Sequence, residues 1–192
     1  MFNKNNVEYY FNSERLGFRN WEDEDINEMI AISASKAVMR FFPAVATPQQ
    51  TKDFIKRMQK LFSEKGYCYF AVDLLESKEF IGFIGLNDIT YDASFAPAID
   101  IGWRLAENHW GNGYATEGAK RCVDFAWETL KINKIVATAP IINSRSIAVM
   151  HKIGMVKQTE FKHPRLLGNT RLENCVCFEI KPEMAKKSVA NF

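Results

Sequence analysis

No stretch of this chain approaches the roughly 20 consecutive apolar residues that cross a bilayer. The opening Met1-Phe2-Asn3-Lys4-Asn5-Asn6 lacks the hydrophobic core of a secretion signal. Neither a membrane span nor a leader is expected, and the cytoplasm is the expected location. Charge of one sign is also scarce. Lysine and arginine number 25 against 23 aspartates and glutamates, a formal charge of +2, so no overall field draws the chain to nucleic acid. Cysteines number only four. Cys68 lies in an apolar strand pattern and Cys122 in a helical one, where both suit buried small hydrophobes. Cys175 and Cys177 are two apart and share one face of a strand, but no further ligands stand at zinc spacing. No metal is expected. There is no Gly-Lys-Ser/Thr phosphate loop and no three-glycine dinucleotide fingerprint. Internal repeats, low-complexity segments and linkers are missing too.

What is present is an ordinary globular composition, 47% hydrophobic and 25% charged over 192 residues. It fits one domain spanning the chain, with a core from about residue 13 to 181. Residues 15–19 read as a first strand. The acidic run Glu22-Asp23-Glu24-Asp25 suits the solvated first turn of a helix, where the peptide dipole favours negative charge. Thr47-Pro48-Gln49-Gln50 supplies an N-cap, a proline at the first helical position and a glutamine at the third. Phe54, Ile55, Met58, Leu61 and Phe62 then line one face of that helix, as core or pocket wall, and Gly66 ends it. Two β-rich runs, 67–75 and 79–86, form a hairpin through Glu76-Ser77-Lys78. A loop around Asp92-Ala93-Ser94-Phe95 leads to an alternating strand over 98–105. Residues 156–161 and 172–180 read as two final strands flanking a loop with His163-Pro164 and Gly168-Asn169.

The richest segment lies between these. Trp110-Gly111-Asn112-Gly113-Tyr114-Ala115-Thr116-Glu117 is a glycine turn running into a helix, whose apolar residues Ala115, Ala119, Cys122, Val123 and Ala126 recur at helical spacing. Strand, glycine turn, helix is an arrangement in which backbone N–H groups at a helix start face an anion. Glycine lacks a Cβ, so a phosphate can approach the main chain closely. Taken alone the turn is equally a structural one. Downstream, residues 134–140 read as a strand, followed by Asn143-Ser144-Arg145-Ser146 and a short helix that stops at Gly154. Asn143 suits an N-cap for that helix, a side-chain amide offered to a ligand, or both.

Together the two units resemble the acyl-CoA N-acyltransferases of the GNAT superfamily, with most likeness to the branch of the ribosomal-protein acetyltransferases RimJ and RimL. The resemblance spans residues 15–177. Trp110-Gly111-Asn112-Gly113-Tyr114-Ala115 occupies the pyrophosphate loop, with Trp110 where an arginine or glutamine is usual, and Ser13-Glu14-Arg15-Leu16-Gly17-Phe18-Arg19-Asn20-Trp21 looks like that branch's opening. The resemblance implies an α/β fold, a mixed, mostly antiparallel sheet with helices on both faces. It implies acetyl-CoA as acyl donor and a primary amine as acceptor, either a protein N-terminal α-amine or a small molecule, attacking directly in a ternary complex. The strands before the glycine turn and before Asn143 are expected to splay. Acetyl-CoA then lies between them, along Ile101, Gly102 and Trp103, with its pyrophosphate on the amides of Gly111, Gly113, Tyr114, Ala115 and Thr116 and its arm near Asn143, Ser146 and Met150. Trp110 and Asn112 complete the cofactor loop.

The resemblance also proposes roles. The position where many relatives carry a thiolate-protonating tyrosine is Met150, so Ser146 of the Asn143-x-x-Ser146 motif is the candidate donor, with helix capping as its alternative. The glutamate that RimL-like enzymes use as base has no counterpart in the segment 161–165. His163 is the candidate there, since an imidazole titrates near 6.5, and Asp100 and Glu107 are weaker ones. Trp21, Arg40, Phe41 and Phe42 are expected to form an aromatic acceptor pocket between the first two helices. A catalytically silent acyl-CoA-binding or sensory domain is the alternative function, and monomer and homodimer both stay open.

Overall fold

The computed structural model describes residues 7–182. Eight strands form one sheet in the order β1-β2-β3-β4-β5-β6-β8-β7. They are β1 (Phe11–Asn12), β2 (Leu16–Arg19), β3 (Tyr69–Leu74), β4 (Phe80–Asp88), β5 (Ile99–Leu105), β6 (Ile135–Pro140), β7 (Val156–Lys162) and β8 (Asn174–Ile180). Every neighbouring pair is antiparallel except β5 and β6. The helices are α1 (Asp25–Ala34), α2 (Pro48–Lys65), α3 (Tyr114–Glu128) and α4 (Ser144–Lys152). This is the expected mixed, mostly antiparallel α/β fold. The one strand not anticipated, β1, is two residues long and too short to show a period.

Local chemistry starts and stops the helices. Thr47 accepts from the backbone N–H of Gln50 while the Gln50 side chain accepts from Thr47 N–H, a reciprocal box in front of Pro48. Gly66 ends α2 in the left-handed conformation at φ 73°. Ile55 and Met58 of the apolar stripe are buried, and Phe54, Leu61 and Phe62 pack beside them. On α3 the buried residues are Gly118, Ala119, Cys122, Val123, Phe125 and Ala126. All four cysteines are buried and free.

Alternation across the strands sorts the core into two faces. Tyr69, Phe83 and Arg104 lie on the face met by α2, where Phe54 stacks on Tyr69 and Phe83 with ring centroids 6.4 and 5.1 Å apart. Ile84 lies on the other face, against α3, whose Gly118 has room for no side chain beside Ile84, Leu16 and Phe18. Helices therefore cover both faces of the sheet.

The acidic run behaves differently from expectation. Glu22, Asp23 and Glu24 are exposed, but Asp25 is buried and forms an ion pair with Arg19 at 2.7 Å, and Arg19 also holds Asp73 of β3 at 2.8 Å. Although burial opposes its charge, the hydrogen bonds that Arg19 donates to Asp25 and Asp73 raise its pKa. Asp25 thus fastens α1 to the sheet rather than facing solvent. The local dipole argument read the run correctly as a helix start, but Arg19 is the partner that only the fold brings to it.

Candidate active site

The sheet opens between β5 and β6. Their ladder contains only Ile99 opposite Ile135 and Asp100 opposite Val136. From Ile101 onward β5 keeps its partner β4, with Gly102 opposite Gly85, and β6 keeps β8. The backbone edges between them part, which leaves strand hydrogen-bonding groups free for an extended ligand. At the point of parting stands Asp100. Its carboxylate accepts from the Thr138 backbone N–H on β6 and from the Tyr69 hydroxyl on β3. Burial raises the Asp100 pKa to about 7 against the pull of those two hydrogen bonds, while the residue keeps some contact with solvent. Tyr69 also occupies the space over Gly102, where a Cβ would come within 2.9 Å of its ring.

The glycine turn lies at the far end of β5. Gly111 and Gly113 both adopt the left-handed region, at φ 81° and 82°, where a side chain is strained. An added Cβ at Gly111 meets nothing within 4 Å, and at Gly113 only Arg15 Nη2 at 3.6 Å. Gly113 is the N-cap of α3 and gives no side-chain cap, so the N–H groups of Tyr114, Ala115 and Thr116 have no helical acceptor. Arg15 braces the turn. It pairs with Glu117 at 2.6 Å, donates to the Asn112 carbonyl at 3.1 Å and lies 4.6 Å from the Tyr114 ring centroid. Burial acts upward on Glu117, but hydrogen bonds from Ser13 and Arg15 hold its pKa below the ordinary value. Trp110 turns its indole inward, donating to the Leu105 carbonyl at 2.9 Å, and Arg145 from α4 reaches over its ring at 4.9 Å. Asn112 donates to the His109 carbonyl at 3.3 Å.

Across the opening, Asn143 is the N-cap of α4, its Oδ1 accepting from Ser146 N–H at 3.2 Å. The amide's Nδ2 has no partner among the described residues. Ser146, at the third helical position, is capped rather than capping. Its hydroxyl is half-exposed and has no partner among the described residues.

Residues 15–156 match the family model of the acetyltransferase (GNAT) domain. The chain belongs to the GNAT acetyltransferase family. It is similar to the uncharacterized protein YkkB of Bacillus subtilis, 30% identical over 74% of this chain and 83% of the relative. Among solved structures it is similar to a GNAT acetyltransferase from Bacillus anthracis, at 25% identity and TM-score 0.74, covering 90% of this chain and 98% of that one. The spermidine N-acetyltransferase of Vibrio cholerae, solved with CoA and spermine, shares the fold at 18% identity and TM-score 0.70, over 88% of this chain and 97% of that one. The protein is an acyl-CoA-dependent N-acetyltransferase, and enzymes of the GNAT family use acetyl-CoA.

The residues present suit that donor. The uncapped start of the 15-residue helix α3 and the two left-handed glycines before it have the backbone geometry that suits a phosphate. The free Nδ2 of Asn143 is a donor for a pantetheine carbonyl. Ile101 is buried and Trp103 half-buried on β5 at the opening.

Three expected site residues are placed elsewhere by the GNAT fold. Met150 is only 1% exposed, on the core-facing side of α4, so it presents no surface to acetyl-CoA. Trp21 is 3% exposed, packed on Phe54, Phe80 and Phe83, and its indole donates to the Tyr69 carbonyl at 2.7 Å. His163 caps a short turn, its Nδ1 accepting from Arg165 N–H at 3.1 Å, and stacks 4.3 Å from the Tyr91 ring centroid. Burial, then Arg165, lowers its pKa. In the neutral tautomer that accepts at Nδ1, the remaining nitrogen carries hydrogen, so the ring's lone pair is committed to the cap.

Of the other expected acceptor residues, Phe42 is 42% exposed and borders a cavity of about 390 Å³ between the segment after α1, α2 and β5. Phe41 stands beside it, half-buried. Arg40 is exposed, 5.6 Å over the Phe41 ring, and does not border that cavity. Glu107 begins a short turn and is exposed.

Proposed function

We propose that the enzyme transfers the acetyl group of acetyl-CoA to a primary amine in a ternary complex, with Asp100 as the base. The observation that carries this reading is the carboxylate at the parting of β5 and β6, held by Tyr69 and the Thr138 N–H, with a pKa of about 7. An amine must lose its proton to attack. An α-amine near pKa 8 is about a tenth neutral at pH 7, and a lysine-like amine near 10.4 only about once in a few thousand molecules. A base near the working pH removes that proton with the best balance of availability and strength. Tyr69 orients the carboxylate, and the sheet around it limits water.

Acetyl-CoA supplies the thioester and the leaving thiolate. The cradle of Gly111, Gly113, Tyr114, Ala115 and Thr116 would hold its pyrophosphate, Asn143 its arm, and the β5 edge at Ile101, Gly102 and Trp103 would extend it. Ser146 would donate to the departing sulfur. Since Asn143 supplies the cap, Ser146→Ala should lower kcat roughly 10²-fold with little change in KM for acetyl-CoA or in the unfolding midpoint. Near-normal turnover of that variant would remove Ser146 from the chemistry.

His163 has the opposite expectation. The rise of kcat/KM with pH should persist in His163→Gln with an unchanged midpoint, because the limb reports Asp100. A limb lost in that variant would return the base to His163. The RimJ/RimL-like pattern of the opening strand and of the Asn143-x-x-Ser146 motif supports placing the enzyme in that branch, with the acceptor either a protein N-terminus or a small molecule. The whole reading is tested by following free thiol release from acetyl-CoA over a panel of amines. Acetyl-CoA binding with no release for any amine would identify a silent domain instead.

A further inference from the structure

Arg104 is a charge that the chemistry above does not use. It stands on β5 on the same face as Asp100 and Gly102, roughly 13 Å beyond Asp100 along the strand. Its guanidinium lies between two rings, 4.5 Å from the centroid of Phe42 and 5.3 Å from that of Phe83. Nη1 donates to Ser33 Oγ at 3.3 Å. Nε is shut off from solvent and has no hydrogen-bond partner among the described residues. No acidic side chain among the described residues compensates the charge. Burial pulls the Arg104 pKa down to about 10, which leaves the group a cation at pH 7.

Arg104 is half-buried, and a desolvated Nε–H with an unmade hydrogen bond is costly, a cost recovered when a ligand completes it. The rings beside the guanidinium direct its remaining capacity to the N–H edge, the geometry that suits a planar carboxylate. The cavity that Arg104 borders has Phe42, Val45, Thr51 and Phe54 in its wall, and its only other charged side chain is Arg57. A volume of about 390 Å³ is that of a small-molecule site. The cavity is also tied to the base. Asp100 is hydrogen-bonded to Tyr69, Tyr69 stacks on Phe83 at 5.0 Å, and Phe83 meets Arg104.

We propose that Arg104 binds a carboxylate of the acceptor, so that the substrates are small primary amines that also carry a carboxylate group. An acceptor with a second ammonium in that place is rejected by Arg104 and Arg57. This rests on the reading of the opening as an acetyl-transfer site and deepens it by naming the substrate class.

The test uses matched acceptors: β-alanine, γ-aminobutyrate and ε-aminocaproate, each beside its primary amide, with putrescine as the diamine. Thiol release from acetyl-CoA is expected to give the carboxylate a kcat/KM roughly 30-fold or more above its amide for at least one chain length, with putrescine poorest. In Arg104→Met that ratio should fall toward one, and Arg104→Lys should retain part of it, keeping the charge but losing the fork. A ratio measured on one sample cancels any loss of folded protein. A wild-type ratio near one, a preference for putrescine, or an unchanged ratio in Arg104→Met overturns the proposal while leaving acetyl transfer intact. Should no amine release thiol, the same acceptors are titrated calorimetrically into the CoA-saturated protein. Carboxylate binding that disappears in Arg104→Met then upholds the anion site although the transfer reading has failed, and no carboxylate binding overturns it.

Discussion

Asp100→Asn is expected to lower kcat/KM for an amine acceptor by roughly 10²–10⁴-fold, the range of a lost general base, while acetyl-CoA still binds. In the wild type, kcat/KM should rise with pH through an apparent pKa near 7, because the ionised carboxylate is the active form. The variant should lose that limb. A limb set by the acceptor would follow the amine's own pKa, so two acceptors of different pKa separate the two origins. Stability should move the other way. The folded-state pKa of Asp100 lies above the ordinary carboxylate value of 3.8, so the folded protein holds the proton longer than the unfolded chain, and stability falls as pH rises from about 4 through 7. Asparagine has no charge to desolvate. Urea midpoints of Asp100→Asn should therefore gain on the wild type between pH 5 and pH 8, by an amount on the order of a few kcal/mol. A variant that is both active and less stable at pH 8 would make Asp100 a structural residue.

Gly113→Val is expected to weaken acetyl-CoA binding by roughly 100-fold or more, the loss of about two charge-assisted hydrogen bonds at 1.5–3 kcal/mol each. Two effects act together. A branched side chain would stand in the open space at the start of α3, and the backbone at φ 82° strains any residue with a Cβ. Strain alone lowers stability, so a control is needed. Gly168, at φ 86° with nothing within 4 Å of an added Cβ, carries the same backbone strain in the loop after β7. Gly168→Val should lose similar stability and keep its affinity for acetyl-CoA. Equal affinities in the two variants would remove the turn from the cofactor site.

The turns and caps around the opening of the sheet were legible because they are local. The glycine turn, the helix behind it, the capping box before α2 and the Asn143 cap each depend on residues within a few positions of one another, and their hydrogen bonds are set by spacing along the chain. The strands of the core were legible for the same reason, by period. Where charge was concerned the local view fell short. Asp25 is a buried partner of Arg19, and His163 is a cap beside Tyr91, because residues distant in sequence supply the neighbours that set their solvation.

By itself the sequence determined the fold class, the capped ends of α2 and the glycine turn at the start of α3, all consequences of short-range geometry. Only the tertiary structure decided the surroundings of the ionisable groups. Asp100 and Arg104 look ordinary on an alternating strand. One acquires its raised pKa where β5 and β6 part, near Tyr69 and Thr138, and the other its unmet Nε between rings from β4 and the segment after α1. Burial dominates both shifts, and although the sequence offers Asp100 as a weaker candidate base, the burial itself has no signature in the order of residues.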